Sequence, residues 1–199
     1  MAIVLRLAGE TDAEAVAAIY APYVRDTAIS FELDPPTVDE LRQRMRTTLA
    51  HAPWLVCEAD GEVLGYAYAG RFHGRAAYQW TVEVTVYVHR DHHRRRIGEG
   101  LYSALLDGVR EQGFRTAVGI IALPNPASVG LHERLGFRPA GVLGSVGFKH
   151  GRWHDVGWWA LALADYAPSP PAPRPLGSVV ETPEWRRALE RGAALVRDR

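Results

Sequence analysis

Little in this chain suits an oxidising compartment or a membrane. A single cysteine, Cys57, stands among 199 residues, so no internal disulfide can form. It lies in the apolar run Trp54-Leu55-Val56-Cys57, which reads as a buried thiol in a reducing compartment rather than a nucleophile. No apolar run reaches the roughly 20 residues a spanning helix needs. The opening MAIVLRLAGE lacks the basic-then-apolar pattern of a secretory leader. The expectation is a cytoplasmic protein with no membrane partner. Neither sign of charge is in excess: 23 Lys+Arg against 23 Asp+Glu give a formal net charge of zero. That argues against a general nucleic-acid binder, although a local basic patch can still hold a small anion. His89, His92 and His93 cluster in sequence, but no His/Cys/Asp/Glu set has structural zinc spacing, and no metal is expected. No internal repeat is present.

What is there is organised around residues 82–107. Val82, Val84, Val86 and Val88 alternate with Glu83, Thr85 and Tyr87, the period of a two-faced strand. His89 to Arg96 is polar and strongly basic, and from Ile97 onward Leu101, Leu105 and Leu106 recur at helical spacing. A strand feeding a helix through a cationic turn suits an anion such as a phosphate, because amide N–H groups at a helix start are unpaired and the helix dipole adds positive potential. Gly98 and Gly100 would allow close approach to the backbone. On these residues alone a solvated basic turn fits equally well.

Elsewhere the pattern predicts a first strand over 2–7. A helix follows, capped by Thr11 with Glu14 and burying Val16, Ile19 and Tyr20. The segment Thr27–Pro36, with Phe31, reads as a loop. Thr37 opens a second helix carrying Leu41, Met45 and Leu49. Trp54–Glu58 and Val63–Ala69 read as strands joined by an Asp60-Gly61 hairpin turn. A polar loop, Gly70–Ala77, precedes the central strand. After the helix near 98–111, Arg115–Ala122 is a strand, Leu123–Pro126 a turn, Ala127–Leu135 a short helix, and Phe137–Val142 and Asp155–Ala162 the last strands. From Ala167 the sequence APSPPAPRP reads as an extended linker without a core, followed by an amphipathic helix behind Thr182-Pro183, with Trp185, Leu189 and Val196 near one face. The order of elements predicts an α+β (mixed α/β) sheet with helices on its faces.

Two stretches then carry a family resemblance. Val84–Val88 with His93-Arg94-Arg95-Arg96-Ile97-Gly98 resembles the coenzyme A signature of the GNAT-type N-acetyltransferases. Leu123-Pro124-Asn125-Pro126-Ala127-Ser128 with Leu131–Phe137 resembles the family's second signature. Tyr78–Glu83 and Gly147–Gly157 look most like the phosphinothricin and methionine sulfoximine acetyltransferases. The resemblance covers about residues 3–163. It implies a twisted, mostly antiparallel central sheet, a GNAT domain over 1-166 and an extension over 167-199. In one place the chain departs from the family pattern: Arg96 stands where the first glycine of Gln/Arg-x-x-Gly-x-Gly/Ala is usual, which either adds a cation near the diphosphate or crowds it.

The resemblance implies acetyl-CoA as cosubstrate, no metal, and direct transfer to the α-amine of a small amino acid or analogue. It further implies a homodimer and a role in antibiotic or herbicide resistance. Glu83 takes the place of the general base and His132 that of a second catalytic residue; on residues alone Glu83 reads rather as a glutamate on the solvated strand face, and His132 equally as a partly exposed helix histidine. Val86, Tyr87 and Val88 would pair with the pantetheine arm. Arg94, Arg95, Arg96, Ile97, Gly98 and Glu99 would form the diphosphate turn, with Asn125 and Ser128 as further cofactor contacts. Arg75 would clamp a carboxylate, with Phe31, His73, Thr85 and Tyr87 completing the pocket. Acetylation of another amine (a polyamine, an aminoglycoside or a protein N-terminus) and a non-catalytic CoA-binding module stay open as alternatives.

Overall fold

The computed structural model describes residues 2–198, and among them seven strands form one sheet in the order β1-β2-β3-β4-β5-β7-β6. The strands are β1 (Ile3–Leu7), β2 (Trp54–Ala59), β3 (Glu62–Arg71), β4 (Thr81–Val88), β5 (Thr116–Leu123), β6 (Arg138–Lys149) and β7 (Arg152–Ala162). Every pairing is antiparallel except β4 with β5. The expected mixed, mostly antiparallel sheet is therefore what forms.

The alternation along β4 decides the layers. Val82 and Val84 are buried in a core shared with Leu101, Tyr102 and Leu105 of α3 (Ile97–Gln112). On the other face, Val16, Ile19 and Tyr20 of α1 (Ala13–Asp26) and Leu41 and Met45 of α2 (Val38–Leu49) pack on Trp54, Val56 and Tyr66, with Tyr68 and Tyr87 at the rim. Burial of these side chains from water is the main stabilising term, about 1.5–3 kcal/mol for each large one. Cys57 is fully buried, and burial pushes its thiol up to about 12, so it stays protonated at neutral pH. Among the described residues no helix is long and apolar enough to cross a membrane.

Local chemistry sets the ends of the elements. Thr37 accepts from the Glu40 amide while the Glu40 carboxylate takes the Thr37 N–H, a reciprocal cap. The Asp60-Gly61 turn joins β2 to β3 with both residues at positive φ, +51° and +86°, as the favoured hairpin turn requires.

Two expectations about the elements are corrected. Thr11 does not cap α1. A short 3-10 turn, Glu10–Asp12, runs into the helix, so the residue before it is Asp12, whose carboxylate accepts from the Gly9 N–H and both outer nitrogens of Arg6 and not from an α1 amide. The last hairpin is longer than the apolar alternation suggested. Its ladder runs on through Gly147↔His154, Phe148↔Trp153 and Lys149↔Arg152 past an irregularity between Leu143 and Gly147, and it closes at His150-Gly151, both at positive φ. The Pro-rich stretch 167–175 carries no helix or strand, and the chain beyond it packs back on the domain. Leu176 and Val179 enter the core beside Trp185, and α5 (Pro183–Leu195) lies on α3.

Candidate active site

β4 and β5 pair only over Thr81↔Thr116, Val82↔Ala117 and Glu83↔Val118. β4 stays on β3 along its whole length, from Arg71↔Val82 to Gly65↔Val88. The sheet therefore forks at Glu83, and the β5-facing edge of β4 has no strand partner beyond it among the described residues. The Val84 carbonyl at the fork is met by the Tyr102 hydroxyl at 3.1 Å. Two residues on, by strand periodicity, Val86 presents its N–H and C=O along the same edge. Such an edge can add an extended, amide-bearing chain as an extra strand.

At the end of β4 the chain enters the basic turn. Arg94 and Arg96 both adopt left-handed backbone, φ +66° and +59°, a conformation that disfavours side-chain-bearing residues. The first intrahelical donor is Gly100, bonded to the Arg96 carbonyl at 2.9 Å. The N–H groups of Ile97, Gly98 and Glu99 precede it and are the orphan donors of the helix start. The Ile97 side chain is buried in the core. Gly98 faces Leu131, and a Cβ there would come within 3.3 Å of it, so this turn lies against α4 (Pro126–Arg134). Orphan amides, helix polarity and an exposed Arg94 suit a diphosphate, and the free edge leading to them suits its arm, so the fold accommodates the expected cosubstrate.

The guanidinium of Arg96 pairs with Glu99 at 2.9 and 2.5 Å. It is thus engaged along the first turn of α3, and a positive φ is where the family's glycine would stand without strain. Arg95 departs from the expected role. Its side chain is 7% exposed and turned inward, onto His92 and the carbonyl of Arg197, so it offers the turn no outward cation.

A cleft of about 430 Å³ opens at the fork. It brings together Glu83, Thr85, Val86, Tyr87, Phe31, Asn125, Ser128 and His132, all of them singled out in the sequence. Glu83 is half-buried, and burial pushes its carboxyl above the ordinary glutamate value. Phe31 seats its ring over Gly147, where a Cβ would collide with it. Asn125 caps α4 by accepting the Ser128 N–H at 3.1 Å, so the capping and cofactor readings of this residue are compatible. The Val88 carbonyl is occupied by the Tyr23 hydroxyl at 2.6 Å.

His132 is not a partly exposed helix residue: it is 3% exposed, edge-on to Tyr102 and Phe137. Burial lowers its pKa, a trend its bond to the Ser128 carbonyl partly opposes. That carbonyl can only accept, so at 2.8 Å from it Nδ1 carries the proton, and Nε2, 3.4 Å from the Tyr102 hydroxyl, is the bare nitrogen of the neutral ring.

His73 and Arg75 are not brought to this cleft. They line a separate one of about 850 Å³ with Thr47, Phe72, Phe114 and Pro173. Conversely, Tyr20, Tyr68 and Tyr102 line the Glu83 cleft without having been singled out. Tyr20 and Tyr102 sit in apolar helical stripes and Tyr68 in an apolar strand, and nothing in those patterns distinguishes a cleft-facing hydroxyl from a packed ring. Among the described residues no group of acidic, His or Cys side chains has the geometry to hold a metal.

Comparison with known proteins agrees with this arrangement. Residues 5–158 match the acetyltransferase (GNAT) domain model. The chain is 42% identical over 176 residues to phosphinothricin N-acetyltransferase of Streptomyces viridochromogenes, covering 88% of this chain and 95% of that one. It is 38% identical over 166 residues to the L-methionine sulfoximine/L-methionine sulfone acetyltransferase of Pseudomonas aeruginosa, covering 82% and 96%. A phosphinothricin acetyltransferase from Sinorhizobium meliloti, solved in complex with acetyl-CoA, superposes with a TM-score of 0.82 at 33% identity, covering 86% of this chain and 94% of that one. The forked sheet, the basic turn and these likenesses converge: the chain belongs to the GNAT family of acetyltransferases.

Proposed function

We propose that this chain acetylates the α-amino group of a small amino acid or analogue, of the phosphinothricin or methionine sulfoximine type, by direct transfer from acetyl-CoA in a ternary complex. The observation that carries the reading is the fork at Glu83: a carboxylate whose basicity burial raises stands where the unpaired edge of β4 begins. Val86 and its neighbours along that edge would hold the pantetheine arm. The amides of Ile97, Gly98 and Glu99, with Arg94, would hold the diphosphate, and the Asn125 amide nitrogen would reach the arm from the opposite wall. Acetyl-CoA supplies an activated acyl carbon and a thiolate leaving group.

Glu83 takes a proton from the substrate ammonium, directly or through water, and so restores the lone pair that attacks the acyl carbon. The new C–N bond forms as the C–S bond breaks. Tyr102, held protonated because burial raises its pKa well above the ordinary value, is the O–H donor at the fork. His132, edge-on to the Tyr102 ring, keeps that ring in place, while the hydroxyl proton goes to the Val84 carbonyl. Cys57 lies in the core outside the cleft, which favours direct transfer over a thioester on the enzyme.

The charged side chains of the cleft wall are Glu32 and Glu83, and an acidic cleft favours a polyamine or aminoglycoside as acceptor. Glu32, however, is paired with Arg44 at 2.7 and 3.0 Å, which leaves Glu83 as the effective charge and weakens that reading. An amino acid's carboxylate then needs a cation from beyond the single-chain cleft. Arg75 remains our candidate, since its segment follows the end of β3, where Gly70 pairs with Glu83.

The protein works as a cytoplasmic homodimer in this reading. β6 is the outer strand of the sheet, and Val142, Leu143, Val146, Phe148 and Trp153 expose apolar surface along its hairpin, an arrangement that calls for a covering partner. Thiol release from acetyl-CoA, assayed with phosphinothricin, methionine sulfoximine, common amino acids, spermidine and an aminoglycoside, tests the proposal. Turnover confined to the amino-acid class supports it. Turnover of the polycations alone favours the other-amine reading, and acetyl-CoA binding with no turnover favours a non-catalytic module.

A further inference from the structure

The segment beyond the family match reaches back to the cofactor turn. α5 crosses α3 at backbone distance. A Cβ on Gly100 would meet the Gly192 carbonyl at 2.5 Å and Val196 at 2.9 Å, and a Cβ on Gly192 would meet the Gly100 carbonyl at 2.6 Å. About two turns further along α3, Trp185 covers Gly108 at 2.6 Å by the same measure, which fixes the register of the crossing. The chain leaves α5 extended at Val196, and Arg197 then makes a reciprocal pair with Arg95. The Arg197 N–H donates to the Arg95 carbonyl at 2.9 Å, and Arg95 Nε donates to the Arg197 carbonyl at 3.0 Å. Arg95 Nη1 lies 3.1 Å from His92 Nδ1, and the Asp198 carboxylate is 3.7 Å from Nη2.

Arg95 sits between Arg94 and Arg96, the two residues of the turn in left-handed backbone. Non-glycine residues hold that conformation only where the surrounding structure over-determines it. Here the surroundings that grip the turn from inside are the tail's main chain and His92.

We infer that the C-terminal segment braces the cofactor turn, with Arg95 as a positioning residue whose partner is the main chain of Arg197. The pair locks residues 94–96 in the conformation that presents the amides of Ile97, Gly98 and Glu99 to a diphosphate. Arg95 therefore acts on cosubstrate affinity without touching the cosubstrate. The inference rests on reading that turn as the diphosphate site.

The test uses the full chain, calorimetric binding of acetyl-CoA and steady-state kinetics. Arg197→Pro removes the N–H given to Arg95, whereas Arg197→Ala keeps both main-chain bonds. Val196 is already extended, φ −74° and ψ 134°, and so tolerates a following proline. Arg197→Pro and Arg95→Met are expected to raise the Kd and KM for acetyl-CoA about fivefold to tenfold, the scale of one or two lost hydrogen bonds. kcat and the amine KM should stay within about twofold, and Arg197→Ala should match the parent. If Arg95→Met does not fold, deletion of residues 197–199 replaces it with the same expectation. A parent that binds acetyl-CoA with an affinity unmoved by Arg197→Pro overturns the brace alone, as does an equal loss in Arg197→Ala. A parent that binds no acetyl-CoA overturns the diphosphate assignment as well.

Discussion

At the scale of single residues, burial sets the protonation states the chemistry needs. The Glu83 carboxyl is pushed up and the His132 imidazole down, in each case first by desolvation of the charged form. A base works only when deprotonated, so kcat/KM should rise with pH through the raised Glu83 value and then level off, in a titration lying above the ordinary glutamate range. A pH–rate profile checks this, and a rate that falls across the same interval contradicts it. His132 contributes stability with a related sign: its folded pKa lies below its unfolded value, so the contribution is present above the ordinary histidine range and is lost as pH falls through the folded value. These residues differed in how far the sequence disclosed them. Glu83 and Asn125 were marked out only by the family resemblance, since on residues alone the one reads as a solvated strand glutamate and the other as a turn-forming residue before proline. Arg94 and Arg95 are adjacent and identical in composition, yet one is exposed and the other buried, because the direction of a side chain in an irregular turn depends on what packs beneath it. Here that is the tail, distant in sequence.

At the scale of elements, one side chain distant in sequence helps to hold the loop bearing Phe31. Lys149, at the end of β6 and 4% exposed, donates to the carbonyls of Val24, Ser30 and Glu32 at 2.6, 2.7 and 2.7 Å. Two of those carbonyls flank Phe31. Burial lowers the lysine's pKa, but three carbonyl acceptors satisfy all three of its protons. Lys149→Met leaves these carbonyls without a donor and should destabilise the fold by about 2–3 kcal/mol. It should also raise the KM for the amine while leaving that for acetyl-CoA unchanged. Urea unfolding and steady-state kinetics read the two effects, and an unchanged amine KM would separate Lys149 from the cleft. Helices, strands and the hairpin turn at Asp60-Gly61 were legible from period and turn chemistry. This anchor was not, because a lysine beside a hairpin turn carries no mark of the carbonyls that fold against it.

At the scale of the molecule, the fork in the sheet is the feature from which the rest follows. Antiparallel pairing holds β4 on β3, the single parallel contact ends at Glu83, and helices pack on both faces of the sheet. The tail belongs to the same core. Trp185 is buried against α3 with Leu176 and Val179, so Trp185→Ala should cost about 3–5 kcal/mol, seen as a lower urea midpoint with a single transition. Two separate transitions would instead mark the tail as an independent unit. The strand order of the sheet could be anticipated only through resemblance, since pairing partners distant in sequence leave no periodic trace. The most direct test of the account is the effect of Glu83→Gln, measured as kcat and as acetyl-CoA Kd on the same protein. The account expects kcat to fall by about 100-fold or more while the Kd stays at the parent value. A kcat unchanged by the substitution, or a loss confined to acetyl-CoA affinity, would contradict it.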